Sequence, residues 1–203
     1  MITLYTKNLK DTWFGVACVE EKIFATALST DRNRVMHSLL MKIPFNVPFK
    51  HSGKASSFTK QVIDALVNIY FGKDFQKKFV LAMEYLPSYT KKVLEAVTLI
   101  PSGYVASYGS VAKAVGGSPR AVGRVMASNP FPLIIPCHRV VASNFSLGGY
   151  GEGLNVKLEI LSCERRGCNS IREVSVNNAK FQVFPVECWV GDKLNNATSL
   201  KHK

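Results

Sequence analysis

The residues with the most chemistry in them are a cysteine and the histidine that follows it, Cys137-His138. Cysteine attacks as its thiolate, and a neighbouring histidine is the usual means of obtaining one. Adjacent side chains point to opposite faces in a strand and do not face each other in a helix. A direct hydrogen bond between these two therefore needs a special turn, and a bridging water serves equally well. A histidine in that role needs an acid to orient it, and Glu164, at the end of a predicted helix, is the candidate. The dipeptide alone is weak evidence, because most lone cysteines are inert core residues and many histidines are structural.

The remaining cysteines, Cys18, Cys163, Cys168 and Cys188, make the total odd and the spacing irregular. Neither a disulfide scaffold nor a two-pair zinc site is suggested. Cys163 and Cys168 are read as two unpaired thiols, with a disulfide as the alternative in an oxidising or hot environment. In the first half Cys18, His37 and His51 are too few for four zinc ligands, so no metal is expected. The start of the chain lacks a signal-peptide pattern, and no run approaches the ~18 apolar residues of a membrane span. A reducing, cytoplasmic setting is expected. The 203 residues, 47% hydrophobic and 20% charged, are ordinary globular material for one large domain or two modest ones. The balance of 26 Lys+Arg against 14 Asp+Glu, a net charge of +12, favours a polyanionic partner, nucleic acid first. A merely solvated surface would carry the same excess.

The elements that must hold the dipeptide can be read from patterning. Two strands are predicted at 13–19 and 22–28 around Glu20-Glu21, then a helix capped by Asp31 with Val35, Met36, Leu39 and Leu40 on one side. A loop spans 42–57, and a second helix over 57–70 presents Val62, Ile63, Leu66, Ile69 and Tyr70 before stopping at Gly72. These make a small α/β unit, residues 1–85, without a catalytic constellation. Pro87 opens a second, mainly α unit, residues 86–165. A helix over 90–100 ends at Pro101-Ser102-Gly103, Ser107 caps a short helix to Val115, and Gly116-Gly117-Ser118-Pro119 restarts another. Two short helices on a tight glycine turn make a helix-turn-helix pattern, though two packed core helices read the same. The second of them has Val122, Val125 and Met126 on one face and Arg120, Gly123, Arg124 and Ala127 on the other. Arginines among side chains this small suit close approach to a narrow groove, such as the DNA minor groove, and suit base-edge readout poorly. Asn129-Pro130-Phe131-Pro132 forces an extended turn, and the buried run Leu133-Ile134-Ile135 leads into the cysteine. A glycine-rich loop follows, then a helix over 154–164 with Leu154, Leu158 and Leu161 on its apolar face. Residues 166–203 hold two strand-like pieces, 171–176 and 181–186, read as an appended hairpin or a weakly ordered extension of unknown role.

Pro136-Cys137-His138-Arg139-Val140, preceded by Asn129-Pro130 and a helix carrying Arg120, resembles the active-site signature of the O6-alkylguanine-DNA alkyltransferases. The likeness runs through Pro101-Ser102-Gly103 and Ser107-Tyr108-Gly109 to Gly148-Gly149-Tyr150 and Glu164. It is dense over residues 87–164, while the N-terminal part agrees only in arrangement. It implies a ribonuclease H-like N-terminal sheet with helices and a winged-helix-like C-terminal unit containing the helix-turn-helix. It implies DNA repair by a single-turnover, cofactor-free transfer of an alkyl group from O6-alkylguanine in duplex DNA to Cys137. O4-alkylthymine is an open second substrate, and the base is flipped out of the stack by a monomer bound in the minor groove. Under the resemblance His138 is the water-mediated base, Glu164 orients it, and Tyr108 presses on the phosphate and donates toward guanine. Arg120 fills the space left by the flipped nucleotide, and Asn129 shapes the turn toward the active-site strand. The carbonyls of Cys137 and Val140 accept from the guanine amine, and Tyr150 with the Gly151 backbone closes the pocket. Thr90, Gly123 and Ser143 match positions that touch DNA. Gly151 stands where some relatives carry a serine, which bears on tolerance for bulky adducts.

Two rival readings use the same residues. A lesion-binding protein or helix-turn-helix regulator would not need the cysteine, which is present. A Cys-His hydrolase would turn over without DNA and would leave Arg120 and its small-residue face unexplained.

Overall fold

A computed structural model describes residues 1–75, 77–144 and 146–188. The chain forms two compact units, Met1–Lys91 with Asn129–Ile135, and Lys92–Ser128 with Pro136–Lys203. Both are mixed α/β. No helix among the described residues is long and apolar enough to cross a membrane.

The first unit is built on a five-stranded sheet in the order β4-β1-β2-β3-β5. Strands β1 (Ile2–Leu9), β2 (Thr12–Val19) and β3 (Lys22–Ser29) form an antiparallel meander. β4 (Phe49–His51) runs parallel to β1, and β5 (Val80–Leu81) parallel to β3. The two central strands confirm the expected pair to within one residue. β1 was not anticipated, because its two-residue turn is Lys10-Asp11, both with positive φ (47° and 64°), where Asn-Gly would have been the usual signal. Helix α1 (Arg32–Lys42) starts where expected, with the Asp31 carboxylate accepting from Asn33 N at 2.8 Å. It buries Val35 and Leu39 over β2, and Leu40 turns out partly exposed. Its seat is Gly15, where a Cβ would stand 2.5 Å from Val35 Cγ1. Helix α2 (Ser57–Tyr70) matches the predicted span, capped by Ser56 accepting from Thr59 N.

In the first unit, Asn129–Ile135 is stitched into shape by Asn129. Its Oδ1 accepts from Phe131 N at 3.0 Å and its Nδ2 donates to Ile135 O at 3.2 Å. Thr26 holds the same segment, its N donating to Pro130 O and its Oγ1 to Pro132 O, both at 2.8 Å. With Pro130 and Pro132 fixed at φ and Leu133 at φ 71°, few other paths are open to the backbone.

The second unit contains helix α3 (Ser88–Thr98), whose first residues belong to the other unit, and α4 (Tyr108–Val115), α5 (Pro119–Ala127) and α6 (Leu154–Cys163). Ser107 caps α4 with a complete capping box, and Ser118 caps α5 ahead of Pro119, as the sequence predicts. The unit carries more strand than expected. β6 (Tyr104–Ser107) pairs in parallel with β7 (Val140–Val141) and antiparallel with β9 (Ala179–Pro185), which pairs with β8 (Arg172–Val176). The first part of the C-terminal stretch is thus a hairpin that widens this sheet; residues 189–203 lie outside the described residues. Val105, Val141, Leu161 and Val186 form a core cluster beneath it.

Candidate active site

The cysteine sits on neither a strand nor an α-helix. Pro136 ends the preceding run, and Cys137–Arg139 form one 3₁₀ turn closed by Arg139 N donating to Pro136 O at 2.9 Å. The expected active-site strand begins only at β7. In this turn Cys137 is 5% exposed and His138 fully buried. Cys137 lines a cavity of about 510 Å³ whose other walls include Tyr108, Arg120, Gly123, Tyr150 and Gly151. Of the residues singled out in the sequence, six therefore converge on one hollow within the second unit.

Behind the cysteine lies a charged cluster. His138 Nε2 stands 3.0 Å from Glu164 Oε1, with side chains 0% and 1% exposed. Arg139 grips the same carboxylate from Nε (2.9 Å to Oε2) and Nη2 (2.6 Å to Oε1), while its Nη1 donates to Ile100 O at 2.7 Å. Burial opposes ionisation of Glu164, but His138 and Arg139 overcome it and hold the carboxyl at about 2. Burial pushes His138 below its usual value, against the pull of Glu164. A neutral imidazole facing a carboxylate must carry its proton on Nε2. Nδ1 is then the basic nitrogen, and it has no hydrogen-bond partner among the described residues. By contrast, burial raises Cys18 to about 11 and also raises Cys163, so these remain thiols at neutral pH. No disulfide joins the described cysteines.

Two features escaped the sequence reading. Periodicity puts the apolar face of α6 on Leu154, Leu158 and Leu161, yet Leu154 is 48% exposed and the buried residues are Lys157, Ile160 and Leu161. Lys157 and Glu164 lie one heptad apart on that inward face, so the helix turns its chemistry inward, where hydrophobicity alone points elsewhere. Lys157 Nζ donates to Val140 O and Leu147 O at 2.6 Å and to Gly149 O at 3.3 Å, which uses all three of its protons. Burial lowers Lys157 to about 8, and the charge of Cys137 pulls it back upward. The second feature is Gly148. At φ 63° a Cβ there would stand 2.7 Å from Tyr108 Cε2, so the glycine loop lies flat on the tyrosine ring. Tyr108 Oη donates to Gly149 O at 3.2 Å, and burial followed by the charge of Cys137 keeps the phenol protonated.

The sequence model of a family described as "6-O-methylguanine DNA methyltransferase, DNA binding domain" matches residues 88–166. A methylated-DNA–protein-cysteine methyltransferase of Methanocaldococcus jannaschii is 47% identical over 108 residues, 52% of this chain and 64% of that protein. One from Thermococcus kodakarensis is 32% identical over 157 residues, 75% of this chain and 88% of that protein. The chain belongs to the methylated-DNA–protein-cysteine methyltransferase family. The matched part spans less than two thirds of the Methanocaldococcus relative. A crystal structure of the O6-methylguanine-DNA methyltransferase from the hyperthermophilic archaeon Pyrococcus kodakaraensis superposes with a TM-score of 0.64 at 28% identity, covering 81% of this chain and 99% of that one.

The positions carried over from the methyltransferase family fall as follows. Val140 is buried and its carbonyl accepts from Lys157, leaving the second lone pair of that oxygen for another donor. Asn129 is buried in the stitched segment described above. Thr90 occupies the first turn of α3, Ser143 is exposed in the turn after β7, and neither lines the cavity. A Cβ on Gly151 would meet nothing within 4 Å, so a side chain at this position has room.

Two predictions arise here. Gly148→Ala is expected to lower stability by about 1–2 kcal/mol, since a left-handed alanine is strained and must push Tyr108 off Gly149. Thermal melting checks this, and an unchanged midpoint would contradict it. The second concerns acid. The folded Glu164 is depressed from 4.5 to about 2, so its contribution is full above 4.5 and lost as pH falls toward 2. That is about 3 kcal/mol. His138, lowered from 6.5, acts with the same sign, because the unfolded chain takes up a proton first. Urea midpoints of the parent should fall more steeply than those of Glu164→Gln as the pH drops below about 5. Parallel curves would contradict the assignment.

Proposed function

We propose that this chain repairs DNA by moving the alkyl group of O6-alkylguanine onto Cys137, once per molecule and irreversibly. The observation that carries this reading is the placement of Cys137 on the wall of a cavity of about 510 Å³, directly followed by a buried His138 whose Nε2 is held by Glu164. The alkyl carbon lies within the duplex, so the nucleotide must be extruded at a cost of a few kcal/mol, least for a damaged pair. The Cys137 proton passes through a water to His138 Nδ1. Sulfur attacks the alkyl carbon in line, the carbon–oxygen bond breaks, and its electron pair goes to guanine, which takes up a proton from Tyr108 or solvent. The products are guanine and a thioether. Water does not displace sulfur from a thioether, so the protein is spent; no cofactor is required, because the aromatic leaving group already activates the carbon.

The carbonyls of Cys137 and Val140 receive the guanine amine, and Tyr150 and Gly151 close over the base. α5 enters the minor groove with Arg120 and Arg124 exposed on it, Arg120 filling the space that the base leaves. Gly123 supports this placement. A Cβ there would meet only Tyr108 Cε1 at 4.0 Å, an ordinary contact, so packing within the protein does not demand glycine. The helix nonetheless accepts the roughly 1 kcal/mol cost of glycine relative to alanine, which close approach of a DNA backbone would explain. Thr90 and Ser143 contact the DNA backbone, and Asn129 sets the turn that leads to the cysteine. The architecture is a ribonuclease H-like first unit and a winged-helix-like second unit, acting as a cytoplasmic monomer on double-stranded DNA.

The test follows the DNA. Duplexes carrying one O6-methylguanine are mixed with limiting protein and digested to nucleosides. The loss of O6-methyldeoxyguanosine should stop at one per protein molecule. Continued turnover would indicate a hydrolase, and intact lesions held in a stable complex would indicate a damage-binding protein.

A further inference from the structure

The family match ends at residue 166, and the chain beyond it folds back on the end of α6. β9 pairs with β6 at Tyr104–Pro185 and Val105–Phe184, and Val186 N donates to Gly103 O at 2.8 Å. Glu187 comes next. Its Oε1 accepts from the backbone N–H of Arg166 and of Gly167, both at 2.6 Å. These amides lie two and three residues past Glu164. The same stretch also meets the turn at Gly103, where a Cβ would stand 3.2 Å from Glu164 O and 3.0 Å from Arg166 Cγ. Arg166 Nη2 also donates to Ser102 Oγ at 3.4 Å. Burial disfavours charge on Glu187, but its backbone N–H donors outweigh that and hold the carboxyl below its usual range.

This clamp matters because of where α6 stops. Its last helical residue is Cys163 and Glu164 is the cap, with no basic residue in the last turn. Helix ends fray unless something ties them down. Glu164 must nevertheless meet His138 Nε2 and the Arg139 fork at once, a geometry that tolerates about 0.5 Å of error. We propose that Glu187 is a positioning residue for the alkyl acceptor: by holding the Arg166 and Gly167 amides it fixes the end of α6, and with it the Glu164 carboxylate behind His138. The C-terminal hairpin is thereby part of the acceptor site's support. This inference rests on the proposed relay through Glu164.

A double-mutant cycle tests it. Single-turnover transfer from a saturating O6-methylguanine duplex is measured at room temperature for the parent, Glu187→Ala, Glu164→Gln and the double variant, with DNA affinity measured alongside. Glu187→Ala should slow transfer roughly fivefold to tenfold with unchanged affinity, and should add nothing in the Glu164→Gln background. Glu187→Gln, which keeps a carbonyl acceptor, should recover most of the rate. If Glu187→Ala does not fold, Glu187→Gln takes its place in the cycle, with about a twofold loss expected. A parent rate in the folded Glu187 variant, or an equal loss in both backgrounds, overturns the proposal. Glu164→Gln reacting at the parent rate would instead overturn the relay itself, and this proposal with it.

Discussion

Cys137→Ser is expected to bind alkylated duplex as the parent does and to transfer nothing measurable. The substitution removes one sulfur in favour of oxygen at a site 5% exposed, so the fold and the cavity wall are kept. Chemically the change is large. Cysteine is the side chain least handicapped as a nucleophile near neutrality, and a serine hydroxyl beside the same imidazole must give up a much less acidic proton. A rate loss of roughly a thousandfold or more is expected. Stopped-flow or quench measurements on the lesion duplex, with binding followed by fluorescence anisotropy, separate the two effects. Residual transfer within tenfold of the parent would mean that another thiol is the acceptor. Cys18 and Cys163, both held as thiols, are poor alternatives.

The second large effect is expected at Lys157. Its Nζ holds three carbonyls, those of Val140, Leu147 and Gly149, at a fully buried position. Lys157→Met keeps the length and apolar stem of the side chain and removes every donor. Buried acceptors left without partners cost about 1–3 kcal/mol each, partly relieved if water enters. A total loss of about 3–5 kcal/mol is expected from urea unfolding. Activity should suffer separately. Gly149 O also receives the Tyr108 hydroxyl, and Gly149 and Tyr150 line the cavity, so freeing the loop unsettles both walls. Transfer by the folded fraction should slow roughly tenfold to a hundredfold. A Met variant within twofold of the parent in rate and within 1 kcal/mol in stability, roughly the effect of a single exposed hydrogen bond, would remove Lys157 from the account.

The sequence was most legible where structure is local. α2 is legible at its observed span because the 3.6-residue period of its apolar face and the stop at Gly72 are both local signals. α4 and α5 were readable for the same reason, through Ser107, Gly116-Gly117 and Ser118-Pro119. Short strands whose partners lie far along the chain were not. β4 and β5 have three and two residues, and each exists only by pairing with a meander strand. β9 joins β6 across some eighty residues of chain, and no pattern within either strand announces that pairing. At the candidate site, Cys137, His138 and Glu164 were legible because their side chains name their chemistry. Lys157 was not, since a lysine on a helix usually marks the solvated face; here three carbonyls satisfy its protons and let it turn inward. Arg139 was visible in the motif without a role, which became evident only when its fork met Glu164. Glu187 lay in a stretch with no motif at all.

The proposed function requires covalent chemistry at one sulfur. Parent protein mixed with a duplex carrying a single O6-methylguanine, then examined by intact mass and peptide mapping, tests it most directly. The expected result is one added methylene per molecule, confined to the peptide containing Cys137 and unchanged by further substrate. An unaltered protein mass after the lesion has been consumed, or a methyl group on any other residue, would contradict it.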